Sequence, residues 1–69
     1  MTDEELAKRF TYHPPKGDQP QRYQDIRDYG RQFADLIDGI TVDSREKSLA
    51  LTHVEEVVMW ANAAIARNE

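Results

Sequence analysis

The chain has no cysteine, so disulfides cannot brace it and no thiolate metal site can form. It also has no long apolar run. Its longest uncharged apolar stretch falls far short of the ~18 residues that span a bilayer. The acidic start, Met1-Thr2-Asp3-Glu4-Glu5, has no apolar signal core. A cytoplasmic protein with no membrane partner is expected. Basic charge is scarce and scattered: nine Lys and Arg face thirteen Asp and Glu, for a net charge of −4, with no basic run longer than Lys8-Arg9. That argues against the basic stripe of a protein that grips long nucleic acid. Histidine is limited to His13 and His53, and neither has a metal-ligand partner four residues on. Ser44 and Ser48 have no nucleophile-elbow context. The carboxylate pairs Glu55-Glu56, Asp25-Asp28 and Asp35-Asp38 read as solvated helix faces. No enzyme, cofactor or metal is expected.

What is present is a chain of 69 residues, 39% apolar and 32% charged. That mix suits a folded domain, not a disordered one. A chain this short buries only about 60% of its extended-chain surface, and such a core seldom supplies more than ~3–5 kcal/mol. Without disulfides, self-association is the usual remedy.

The pattern predicts an all-α fold of three helices. The first spans about 3–10, capped by Thr2 or Asp3, with Glu4 and Glu5 at its positive end. It is too short to stand alone and is expected to pack alongside the others. Residues 11–20, Thr-Tyr-His-Pro-Pro-Lys-Gly-Asp-Gln-Pro, hold all three prolines and one glycine and form a non-helical strap. Pro14-Pro15 stiffens it and extends His13. A second helix is expected over about 20–38, with Pro20 at its first position and Gly39 as a left-handed stop. Its apolar stripe reads Tyr23, Ile26, Gly30, Phe33, Ile37 and Ile40, widened by Tyr29 and Leu36. Gly30 in mid-helix points to close helix packing or a bend. A third helix is expected over about 44–67, capped by Asp43 or Ser44. Its apolar residues, from Leu49 to Ile65, exceed what one partner helix can cover. The architecture is an antiparallel two-helix hairpin with a short helix beside it, assembled as an oligomer.

Several side chains suit an anionic, base-bearing ligand. Six of the nine basic residues are Arg, which forks onto phosphate. Tyr12 on the stiff strap can stack a base or fill a core, and Lys16 adds a cation beside it. Arg27 and Arg31 are four apart on one helix face; either an anion or salt bridges to Asp28 or Asp35 would offset their repulsion. Arg45 and Lys47 flank the first turn of the third helix, where free N–H groups attract anions, or are simply solvated. Arg67 suits a helix C-terminus. Asn62, amid Trp60, Ala61, Ala63, Ala64 and Ile65, needs a hydrogen-bond partner if it is buried between subunits.

Phe10-Thr-Tyr-His-Pro-Pro-Lys-Gly-Asp-Gln-Pro, Arg22-Tyr, Ile26-Arg27, Ser44-Arg-Glu-Lys-Ser-Leu-Ala and Trp60-Ala-Asn-Ala-Ala-Ile-Ala-Arg-Asn, taken in order, resemble the phage anti-CBASS sponge family of Acb/Tad hairpin proteins. The resemblance implies a compact helical hexamer in an infected bacterial cell. It implies binding of cyclic dinucleotides, of the cyclic GMP-AMP type, and in some members of cyclic trinucleotides, without cleavage, so that a defence effector stays off. It assigns base stacking to Tyr12 and phosphate contact to Arg27, and places Asn62 and Arg67 where a trinucleotide pocket is expected. Arg45 and Lys47 match a family string of either ligand-binding or assembly role. The rival reading is a helical-hairpin module that docks a partner protein and binds no small ligand.

Overall fold

The computed structural model describes residues 1–69 and contains three α-helices: α1, Asp3–Phe10; α2, Gln19–Ile40; and α3, Arg45–Asn68. Each begins for a local reason. Thr2 caps α1, its hydroxyl accepting from Glu5 N at 3.1 Å. Ser44 caps α3, its Oγ accepting from Lys47 N at 3.1 Å, so Ser44 and not Asp43 is the cap. Asp18 stands at the N-cap of α2 without a side-chain cap bond, and its carboxylate pairs with Arg22 at 3.2 Å. Pro20 lies one residue inside the helix, where its missing N–H costs nothing.

One expectation about glycine is corrected. α2 runs through Gly39 to Ile40 and ends on Thr41 in extended conformation, so Gly39 is helical and stops nothing. The left-handed residue is Gly17, at φ 57°, which turns the strap into α2. Gly30 marks the closest approach of α2 and α3: a Cβ built there would collide with Val58 Cγ2.

α2 and α3 pack antiparallel as a hairpin, with Arg22 beside Glu69 at one end and Gly30 against Val58 at mid-length. The seam uses Tyr23, Ile26, Gly30, Ala34 and Ile37 on α2 against Leu51, Val54, Val58, Ala61 and Ile65 on α3, all half-buried. Phe33 and Ile40, expected in the seam, face outward with Tyr29 and Leu36. Close contact at Gly30 admits a small residue, Ala34, where the bulkier Phe33 cannot fit. α1 does not pack along the hairpin as expected; α2 and α3 are the only extensively paired helices. Leu6 and Phe10 of α1 stay exposed.

The molecule measures 45 × 29 × 12 Å, one helix diameter thick. A single layer has no inside: no apolar residue is buried, and Gln19 is the only buried residue of any kind. No helix is long and apolar enough to cross a membrane.

Candidate functional site

The strap returns from α1 across the open end of the hairpin. Thr11 N bonds Ala7 O at 2.9 Å, and the His13 ring donates through Nε2 to Lys8 O at 2.7 Å, closing the last turn of α1. The next two residues, Pro14 and Pro15, fix φ and carry that anchor forward without slack. Tyr12, between the two anchors, is held on stiff backbone and is 77% exposed.

This geometry sets Tyr12 over the α2–α3 seam. Thr11, Tyr12 and His13 from the strap, Tyr23 and Arg27 from α2, and Asn62, Ala63, Ala66 and Arg67 from α3 line one shallow cleft of about 420 Å³. Four residues singled out in the sequence thus meet from three elements: Tyr12, Arg27, Asn62 and Arg67. Ala63 and Ala66 leave the floor low, and Tyr23 adds a second aromatic. A neighbouring cleft of about 420 Å³ shares Arg27, Asn62 and Arg67 and adds Met59 and Trp60. Trp60, read in the sequence as apolar helix surface, is 63% exposed there.

The two α2 arginines differ. Arg31 bonds Asp35 at 3.1 Å on an exposed surface. Arg27 has no carboxylate three or four residues away, and Asp28, its chain neighbour, accepts from Gln24 Nε2 at 2.8 Å. Arg27 therefore keeps its fork free of any carboxylate, as does Arg67. Two uncompensated guanidinium groups on one cleft make a local positive field in a chain of net charge −4. Asn62 Oδ1 is buried without a hydrogen-bond partner.

The other sequence candidates lie elsewhere. Arg31 joins Arg27 on a separate cleft of about 430 Å³ along the hairpin. Lys16 lines a polar cleft of about 440 Å³ on the far side of the strap, with Lys8, His13, Arg67 and Glu69. Arg45 opens α3 at the turn end and is not among the residues lining those clefts. Lys47, only 9% exposed in its side chain, is committed to the α2–α3 turn. Its ammonium donates to Asp38 O at 2.9 Å, Thr41 O at 3.2 Å and Asp43 Oδ1 at 3.1 Å, and pairs with Asp38 Oδ1 at 3.0 Å. The bonds to Asp38 and then Asp43 raise its pKa above the ordinary 10.5. It closes the free carbonyl end of α2 in place of a glycine cap.

The open end is tied by Arg22. Its guanidinium forks onto the Glu69 carboxylate, bonding Oε2 at 3.0 Å and Oε1 through the second nitrogen, and its Nε reaches Asp18 at 3.2 Å. The Arg22 bond holds the Glu69 carboxyl below its usual range, and Glu69 in turn raises Arg22.

Comparison with known families returns a match to the family described as Acb2/Tad1, hairpin domain, over residues 2–66. No curated protein and no solved structure matches the chain.

Proposed function

The chain belongs to the Acb2/Tad1 hairpin-domain family, and on that premise we propose that it binds and sequesters cyclic oligonucleotide messengers of bacterial anti-phage defence without cleaving them. The observation that carries this reading is the cleft joining Tyr12, Arg27, Asn62 and Arg67. Each group has a task there. The Tyr12 ring stacks a base, a contact that tolerates any base because every base has a π-face. Arg27 and Arg67 take phosphate oxygens in charge-assisted, two-pronged bonds. Asn62 offers its side-chain amide to a base edge. No group stands ready to activate a water or attack phosphorus, so the ligand leaves as it entered.

Cyclic dinucleotides are the proposed primary ligands and cyclic trinucleotides the second class, the latter leaning on Asn62 and Arg67. A sponge must hold its messenger at about nanomolar affinity, about −12 kcal/mol. A ligand of roughly 45 non-hydrogen atoms at about −0.3 kcal/mol each reaches roughly −13 kcal/mol, but only when well enclosed. A cleft on a single helical layer leaves one side of the ligand in water. A second copy of the chain closes it, and a hexamer is the proposed assembly.

Calorimetry against a panel of cyclic di- and trinucleotides tests the reading. Tight, saturable binding of at least one is expected, and protein purified from a host expressing a nucleotide cyclase should release intact ligand absorbing at 260 nm when denatured. No heat with any member of the panel, together with no released nucleotide, overturns it.

A further inference from the structure

We propose that Gln19 is the positioning residue of the ligand cleft, a latch that holds the strap, and with it Tyr12, at a fixed place over the hairpin. The inference rests on the sponge reading above. Gln is ordinarily an exposed residue, yet Gln19 is the one buried residue of the chain, 3% exposed. A buried amide persists where its hydrogen bonds are made, and those of Gln19 join the strap to the first turn of α2. Its Oε1 accepts the Lys16 N–H of the strap at 3.1 Å and the Tyr23 hydroxyl of α2 at 3.3 Å, using both lone pairs. Its own N–H donates back to Lys16 O at 3.1 Å. Gln19 also lines one cleft with Ala66, Arg67 and Glu69 at the end of α3. Strap and α2 therefore meet at one amide, beside the end of α3.

The site needs such a link. Tyr12 comes from the strap, whereas Arg27, Asn62 and Arg67 come from the hairpin, and α1 is not extensively packed on either hairpin helix. Between Lys16 and Tyr12 lie Lys16's neighbours Pro15 and Pro14, then His13 bonded to Lys8 O. Pinning Lys16 thus fixes the approach of Tyr12 through a stiff segment. A pre-set platform avoids the ordering cost that a loose strap would meet on each binding event.

The test is a pair of double-mutant cycles read by calorimetry with the cyclic nucleotide the wild type binds most tightly. Gln19→Ala should weaken binding roughly tenfold, no more than loss of the stacked base itself. In a Tyr12→Ala background the same change should have almost no further effect, because the latch acts through Tyr12. In an Arg27→Ala background its full factor should persist. Tyr23→Phe, which removes one bond to the amide and keeps the ring, should fall between wild type and Gln19→Ala. An equal factor in both backgrounds means general loosening of the fold and overturns the proposal, as does unchanged affinity. Amide exchange at Lys16 gives a ligand-free reading: it should be protected in wild type and exposed in Gln19→Ala. Should wild type bind no cyclic nucleotide, the sponge reading falls, and unchanged Lys16 exchange would then reject the latch as well.

Discussion

Arg27 and Arg31 have the same side chain and stand one helical turn apart. What separates them is the spacing of carboxylates: Arg31 has Asp35 four residues on and bonds it, while Arg27 has no acid three or four residues away on either side. Arg27→Ala should therefore cost more than a simple hydrogen bond, since it strands a desolvated phosphate oxygen. Tyr12→Ala should lose ~1–3 kcal/mol per stacked base, roughly tenfold to a hundredfold in affinity. Neither change touches the α2–α3 seam, so melting temperature and assembly should stay at wild-type values. Tyr12 and Arg67 line one cleft, so Arg67→Ala should weaken both ligand classes, trinucleotides the more strongly. Calorimetry with both ligand classes decides this, and dinucleotide binding untouched by Arg67→Ala would mean two separate sites. The family resemblance pointed to Tyr12, Arg27, Asn62 and Arg67 by their strings. Nothing in the strings pointed to Gln19 as a buried amide, because a Gln three residues after a Lys in a Pro-Gly segment looks like ordinary loop polarity.

At the level of the helices, the two glycines of α2 give opposite expectations. Gly39→Ala adds a methyl where no atom lies within 4 Å, in helical backbone. It should stabilise by up to ~1 kcal/mol. Gly30→Ala gains the same propensity but drives a methyl into Val58, whose β-branched side chain has little freedom to move aside in a helix. Overpacking typically costs ~1–3 kcal/mol, so a net loss of about 1 kcal/mol is expected. Thermal melts of the two variants should move in opposite directions. The α2–α3 turn offers a pH signature. The folded pKa of Lys47 is raised, so its contribution is complete below the ordinary 10.5 and is lost as pH rises through the higher folded value. Lys47→Met should melt below wild type at neutral pH, and the gap should shrink under strongly alkaline conditions. A gap that stays constant with pH would show that the ammonium does not hold the turn.

For the molecule as a whole, the decisive fact is a layer 12 Å thick with no buried apolar residue. Arg27 and Arg31 lie on one face of the hairpin. The opposite face carries Tyr29 and Phe33 against Val57 in an apolar groove of about 440 Å³, with Leu36 and Ile40 further along. Tyr29 is 72% and Phe33 54% exposed, more large apolar surface than a small single-layer chain can leave in water and stay folded. An obligate assembly is expected. Light scattering should find no folded monomer at micromolar concentration, and the melting temperature should rise with protein concentration. A stable monomer with a concentration-independent melt would overturn this.

Much of the fold was legible because it depends on short-range rules. Helix starts follow Thr2 and Ser44, the strap follows its prolines, and the hairpin follows from two long amphipathic segments with a four-residue connection, so helix type, number and order lay in the chain. The phase of the α2 stripe did not. Hydrophobic periodicity counts Phe33 and Ala34 by polarity, whereas the seam selects by size, and only the close approach at Gly30 decides for Ala34. The end of α2 went the same way: Gly39 looked like a stop, but Lys47, nine residues beyond Asp38, caps the carbonyls through space. The orphaned oxygen of Asn62 and the burial of Gln19 likewise depend on how the segments fold together. Local sequence sets the conformation of each segment by backbone sterics and capping. Which charges stay free and which polar atoms lose water depends on what the folded chain brings beside them, and that only the tertiary structure decides.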